Sequence, residues 1–218
     1  MDSYLTVAGY GRDEIVIQKS RFIGEAWPCA TEEEALAHLR QVREASRDAR
    51  HHCWAYVIGE NEGILRYSDD GEPSGTAGMP ILSLIRSEHA VNCCVVVTRY
   101  FGGILLGTGG LVRAYTQGCR IALQAAGLVR MELTCRDLCE VPYSAWDPVR
   151  FALEHLPVRY EDLSFGTGVS FTLLTRRGDR ESVLDRLQQS SGRTLESLAE
   201  GEAYSPWPVP GEGAEPPA

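Results

Sequence analysis

An unbroken apolar run, Cys93-Cys94-Val95-Val96-Val97-Thr98, constrains this chain more than any other stretch. A sheet with one wet face alternates apolar and polar residues, whereas a continuous β-branched series requires cover on both faces. The run is therefore expected to form a central strand, and its neighbours must supply a layer on each side. Directly after it comes Arg99-Tyr100-Phe101-Gly102-Gly103-Ile104-Leu105-Leu106-Gly107-Thr108-Gly109-Gly110-Leu111-Val112-Arg113. A helix follows, with Leu111, Val112, Tyr115, Cys119, Ala122, Leu123 and Ala126 inward and Arg113, Gln117, Arg120 and Gln124 outward; Gly127 ends it. Glycines between a strand and a helix allow close backbone approach, and the free N–H groups and dipole of a helix start favour an anion. No Gly-Lys-Ser/Thr follows as in a Walker A loop, and no acidic residue ends a second strand as in a dinucleotide fold. A tight, packed strand-to-helix connection explains the same residues, so both readings stand at this point.

Ahead of the central run, Ile15–Ile17 and Phe22–Trp27 read as a pair of strands broken by Gln18-Lys19-Ser20-Arg21. Thr31 with Glu34 forms a capping box, Glu32 and Glu33 suit the positive end of the helix, and Ala35, Leu36, Leu39 and Val42 form its apolar face. Its other side carries Arg40, Arg43, Arg47 and Arg50, either a solvated face or a contact stripe. Strands are expected at Cys53–Ile58 and Ile64–Tyr67 around the turn Gly59–Gly63, then a loop Ser68–Gly78, then a helix with Pro80 in its first turn running to about His89. Beyond a boundary at Leu128–Met131, the order is strand Glu132–Val141, helix Ala145–Leu156, strand Val158–Leu163, strand Gly168–Thr175, helix Ser182–Ser190 and strand Arg193–Ala199. That order suggests a ferredoxin-like sandwich. Residues 1–129 and 130–203 are thus expected to be two domains of an α+β protein. The tail 204–218, with five prolines in fifteen residues, is expected to be disordered or extended.

Composition narrows the function classes. No run approaches the roughly 18 apolar residues of a membrane span, the N-terminus lacks a basic-then-apolar signal segment, and a cytoplasmic chain is expected. Seven cysteines, an odd number with Cys93 and Cys94 adjacent, suit buried thiols better than a disulfide framework. The net charge of -9 contains no strongly basic segment, so nucleic-acid binding would require positive charge gathered on one face.

Two further segments could carry chemistry. In Asp69-Asp70-Gly71-Glu72-Pro73-Ser74-Gly75-Thr76-Ala77-Gly78, the carboxylates lack the alternating ligands of a calcium loop. No metal is assigned to them, and Ser74 and Thr76 are expected to cap the next helix. In Arg50-His51-His52-Cys53-Trp54, no second ligand pair completes a zinc site. Strand alternation would put His51 and Cys53 on one face, but nothing supplies a third group or an oxyanion hole, and no catalytic residue is assigned.

Taken together and in order, Lys19-Ser20-Arg21-Phe22-Ile23, Ala49 to Tyr56, Asp69 to Pro73 with Gly75 to Gly78, and Arg99 to Gly103 with Leu106-Gly107 and Gly110 to Tyr115 closely resemble the IMPACT family in its bacterial YigZ form. The resemblance implies an N-terminal domain with the fold of ribosomal protein S5 domain 2 and a C-terminal domain like the last domain of translocating elongation factors. It also implies that no reaction should be assumed; the pairing of two such modules with the Arg99, Arg113 and glycine surface makes a non-enzymatic, translation-associated protein with no cofactor, binding RNA, the ribosome or a ribosome-associated protein, the leading expectation. The eukaryotic relatives restrain a kinase that senses uncharged tRNA, with help from an RWD domain. Only 18 residues precede Lys19, so that role is not carried over. An enzyme acting on a phosphorylated small molecule or nucleotide, and a pure protein adaptor, are the alternatives. The expected binding surface comprises Lys19, Arg21, His51, Asp69, Asp70, Gly71, Glu72, Thr76, Arg99, Tyr100, Phe101, Gly102, Gly103, Gly107, Gly110 and Arg113. A monomer is expected.

Overall fold

The apolar run lies at the middle of a five-stranded antiparallel sheet in a computed structural model, which describes residues 2–207. In chain order the first unit, Ser3–Arg130, contains β1 (Ser3–Val7), β2 (Gly11–Ile17), β3 (Ser20–Pro28), α1 (Glu32–Ala45), β4 (His51–Ile58), β5 (Ile64–Ser68), α2 (Gly78–Ser87), β6 (Cys93–Tyr100) and α3 (Gly107–Ala126). The sheet order is β2-β3-β6-β4-β5. Every residue of β6 from Cys93 to Arg99 is buried. On one face Val95 and Val97 pack with Phe22, Cys53, Ala55, Ile81, Ile85, Tyr115 and Cys119, so that α2 and α3 form the cover. On the other, Cys94 and Val96 meet Trp27, Tyr56 and Ala35, Leu39 and Val42 of α1. Burial of this kind contributes about 1.5–3 kcal/mol for each valine.

Local chemistry explains the joints. Gln18 and Lys19 take φ of +45° and +64°, the two-residue hairpin turn whose twist matches its strands, and Ile17 pairs with Ser20 across it. Thr31 Oγ1 accepts the Glu34 N–H at 3.2 Å, as the capping box requires. Its carboxylate partner reaches one residue further back, to the Ala30 N–H at 2.7 Å. Leu36 and Val112, expected on inward faces, are 38% and 36% exposed. Each sits at the margin of its helix's apolar stripe, where the cover ends.

The second unit, Met131–Trp207, continues from β7 (Leu128–Val141) through α4 (Tyr143–His155), β8 (Arg159–Phe165), β9 (Val169–Arg176), α5 (Arg180–Ser190) and β10 (Glu196–Trp207). Its strands run β10-β7-β9-β8, with β9 antiparallel to both neighbours. Val149, Leu153, Phe171, Leu173, Val183 and Leu187 form its core. Asp137, fully buried on β7, is held by both Nε and a terminal nitrogen of Arg180 at 2.9 and 2.6 Å. The chain is thus a mixed α and β protein with antiparallel sheets.

One boundary is corrected. Tyr204–Trp207, assigned above to a disordered tail, are the last residues of β10. Trp207 is buried: its indole N–H donates to Thr134 Oγ1 at 2.9 Å, and the guanidiniums of Arg159 and Arg176 lie 4.5 and 4.4 Å from its ring. The remaining tail, 208–218, lies outside the described residues.

All seven cysteines are free and buried, and burial pushes the Cys93 and Cys139 thiols up to about 12. Thiolate is the reactive form. The native chain is therefore expected to react with Ellman's reagent at pH 8 far more slowly than the same chain in 6 M guanidinium (roughly the concentration that unfolds most domains), where all seven thiols should titrate at once. Rapid native labelling of even two thiols would contradict the packing described.

Candidate functional site

The Asp69–Gly78 loop is built around its own carboxylates. Asp69 accepts the N–H groups of Gly75, Ala77 and Gly78 at 2.8, 3.0 and 2.8 Å, and so holds both the loop and the start of α2. This corrects the expectation that Ser74 and Thr76 cap that helix: the Thr76 hydroxyl donates to the Pro73 carbonyl at 2.7 Å, within the loop. Asp70, at φ +42°, accepts from Arg43 at 2.8 Å and from the His52 N–H at 2.7 Å. Its carbonyl lies 2.9 Å from His51 Nδ1, which therefore carries a hydrogen. Gly71 turns the chain at φ +85° under the His51 ring, a conformation that a side chain would strain.

Glu72 points inward. Its Oε1 accepts from Arg99 at 2.7 Å and from the Tyr115 hydroxyl at 2.8 Å, and the ion pair is buried, with side chains 4% and 7% exposed. The Arg99 guanidinium lies 5.5 Å from the rings of both Phe22 and Phe101, and its Nε has no hydrogen-bond partner. Beneath the loop, the Cys53 thiol donates to the Asp69 carbonyl at 3.0 Å. Burial, opposed only by the Tyr115 hydroxyl, pushes that thiol far above its ordinary range. Cys53 does share a face with His51, yet it is held as an un-ionised thiol rather than a nucleophile. Among the described residues no group of three or more His, Cys, Asp or Glu side chains is arranged to hold a metal.

These elements enclose a cleft of about 430 Å³. Its floor is Glu72 and Arg99, one wall is Arg50, His51 and Pro73, and the other is the first turn of α3 at Gly107, Thr108 and Leu111. Phe101 and Leu105, 51% and 86% exposed, stand at its mouth. α3 begins at Gly107, its N-cap Leu106 supplies no side-chain cap and its first turn holds no acid, so its leading N–H groups are matched by neither a capping side chain nor a carboxylate. Arg50 is exposed and pairs with nothing among the described residues.

Of the expected surface, His51, Glu72, Arg99, Phe101 and Gly107 meet in the cleft, with Asp69, Asp70, Gly71 and Thr76 forming the loop behind it. The others lie apart. Arg21 pairs with Glu14 and lies 5.7 Å from the Tyr100 ring, while Tyr100 donates to Asp48 at 3.0 Å, all on the α1 side of the sheet. Lys19 is exposed at its turn, and Gly102 lies so close that a Cβ there would overlap the Lys19 carbonyl. The Gly102 N–H donates to Ser20 at 3.1 Å. Gly103, at φ +83°, turns the loop between β6 and α3, Gly110 packs on Leu106, and Arg113 lies along α3 beside Gly109. Tyr115 was read above only as core. A hydroxyl on the inward face of a helix needs a partner, and that requirement was the available signal.

Comparison with known proteins covers the whole site. The family model described as the Impact N-terminal domain matches residues 18–123, which include every residue of the cleft. The IMPACT family member YvyE of Bacillus subtilis is 47% identical over 133 residues, 61% of each chain. An IMPACT family member of Haemophilus influenzae is 37% identical over 188 residues, covering 84% of this chain and 91% of that protein. A crystal structure described as that of a hypothetical protein is 32% identical with a TM-score of 0.59, covering 92% of this chain and 98% of its own. Since the similarity extends over both units and the Impact domain spans the cleft, the chain belongs to the IMPACT family.

Proposed function

We propose that this protein is a non-catalytic, translation-associated binding protein of the cytoplasm that engages single-stranded RNA, free or displayed on a ribosomal partner, through the cleft at the start of α3. The observation that carries the proposal is one juxtaposition: the unpaired Arg50 and the uncapped helix start lie beside the exposed Phe101 and Leu105. Positive charge that follows the backbone, next to an aromatic face for a base, is the combination single-stranded nucleic acid requires. It also answers the objection from a net charge of -9, because the acidic side chains of the neighbouring loop are already committed to Arg43, Arg99 and backbone N–H groups. The two units then read as an S5 domain 2-like module and a ferredoxin-like module, a pairing in keeping with a translation role.

Anisotropy with a fluorescein-labelled single-stranded RNA tests this. Binding is expected in roughly 50 mM salt and should weaken sharply by roughly 200 mM. Phe101→Ala is expected to weaken it about 5- to 100-fold, the equivalent of the roughly 1–3 kcal/mol of one stacked base. No binding at the lower salt, together with no co-sedimentation with ribosomes, would overturn the proposal.

A further inference from the structure

We infer that Arg40, Arg47 and Arg50 form a phosphate track that extends the RNA site from the cleft along α1, so that the chain takes a strand several nucleotides long rather than a single nucleotide. The inference deepens the RNA reading and rests on it for the identity of the ligand. Residues 40–50 hold four arginines against Glu44 and Asp48, a net of +2 within a chain of -9. One of the four is matched: Arg43 donates to Asp70 at 2.8 Å. Arg40, Arg47 and Arg50 are exposed and pair with nothing among the described residues. A cation in the last turn of a helix is favoured by the dipole, which accounts for Arg43. That effect fades within a turn, and it leaves Arg50, beyond the turn that follows the helix, without a structural reason for its charge.

The row is fixed in place and leads to the cleft. The pair between Arg43 and Asp70 holds the arginine side of α1 against the loop behind the cleft. After α1 the Ser46 N–H donates to the Val42 carbonyl and the Ala49 N–H to the Ser46 carbonyl, each at 3.0 Å. The buried His52 ring adds a third tie, its Nε2 lying 3.1 Å from that same Ser46 carbonyl. The turn that carries Arg47 is thus pinned to β4, and it delivers Arg50 to the cleft wall beside His51 and Pro73. Of the two acids in the segment, Asp48 accepts the Tyr100 hydroxyl at 3.0 Å, while Glu44 is exposed and unpaired among the described residues and opposes the row. A guanidinium presents a fork of donors that matches a phosphate, so free arginines in succession suit a chain of singly charged diesters. From Arg40 to its end at Ala45 the helix advances roughly 8 Å, about two nucleotides of a stacked strand. Track and cleft together then reach the range of about 4–16 nucleotides typical of single-strand sites.

The test titrates the full chain with two fluorescein-labelled RNAs, one of about four nucleotides and one of about twelve, spanning the usual single-strand site sizes. Replacing Arg40 and Arg47 together by serine is expected to weaken the longer RNA about tenfold or more at roughly 100 mM salt. The slope of log K against log salt should fall by about 1.4, from two phosphate contacts at about 0.7 each. The short RNA, held by the cleft, should keep its affinity in that variant. Phe101→Ala should weaken both RNAs and leave the slope as it was, since stacking releases no counterion. Glu44→Gln removes the opposing carboxylate and should tighten the longer RNA, a gain that unfolding could not produce, so the test stands even if the double variant is destabilised. Unchanged affinity and slope for the longer RNA in the double variant, equal losses for both lengths, or no gain in Glu44→Gln overturns the track and leaves the cleft reading standing. Failure of both RNAs to bind the parent chain at roughly 50 mM salt overturns the RNA reading itself.

Discussion

Replacing Glu72 by alanine is expected to lower the unfolding free energy of the first unit by about 3–5 kcal/mol, the usual cost of removing one partner from a buried ion pair. The carboxylate is 4% exposed and a single oxygen receives both Arg99 and Tyr115. Its loss would strand a guanidinium that already has one unmatched nitrogen, and would leave a buried phenol without its acceptor. Glu72→Gln should cost less, because an amide oxygen still accepts both bonds although the charge is gone. The double variant Glu72→Leu with Arg99→Met should recover most of the loss, since apolar groups of similar volume often replace a buried pair at little cost. Urea unfolding, followed by a probe of the first unit, measures all three. A loss below about 1 kcal/mol for Glu72→Ala, the range of exposed pairs, would mean that the pair is hydrated and not buried.

The same ion pair marks where sequence reading stops. The central strand was legible because its signal lies in consecutive residues: Cys93 to Thr98 need no knowledge of their neighbours to require burial. The cap at Thr31 and the helix from Gly107 to Ala126 were legible for the same reason, their chemistry being spaced within one or two turns. Asp69, by contrast, could be read only as an acidic loop residue. Its acceptors' partners lie six, eight and nine residues onward, and the path between them turns on φ values of +42° at Asp70 and +77° at Gly75. Arg99 was visible as a charge, but nothing local says that it turns inward to Glu72 rather than outward to a ligand. β1 escaped because Ser3–Val7 is short, and its Leu5 makes an isolated parallel bridge to Ala90, far along the chain. At the other end, proline content outweighed one tryptophan, although Trp207 is buried against two guanidiniums at the end of β10. The resemblance to the IMPACT family needed none of these contacts, since four motifs in order carried it.

Gly24→Ala is the other substitution expected to act strongly, although Gly24 has an ordinary strand conformation and no backbone strain to explain its identity. β3 and α3 meet there through glycines. A Cβ on Gly24 would overlap the Gly118 carbonyl oxygen, and one on Gly118 would stand 2.8 Å from Cγ1 of Val97. The helix thus rests on the sheet backbone to backbone, which lets Tyr115, Cys119 and Ala122 reach the core beneath it. A carbonyl within a helix cannot turn aside as a flexible side chain can, so α3 must lift. The expected cost is about 1–3 kcal/mol or more, in the range of overpacked cores, seen as a lower urea midpoint with unchanged slope. Gly118→Ala should also be costly, because the Cγ1 that its Cβ would meet belongs to Val97, a fully buried β-branched side chain with little freedom to move. The consequence extends beyond stability, since α3 carries the first-turn N–H groups and Tyr115 at fixed positions against Arg99 and Glu72. Lifting the helix from the β3 side moves that wall of the cleft without touching any residue in it. RNA affinity should therefore fall in Gly24→Ala under conditions where the chain is still folded, and an unchanged affinity there would separate the cleft from the binding surface.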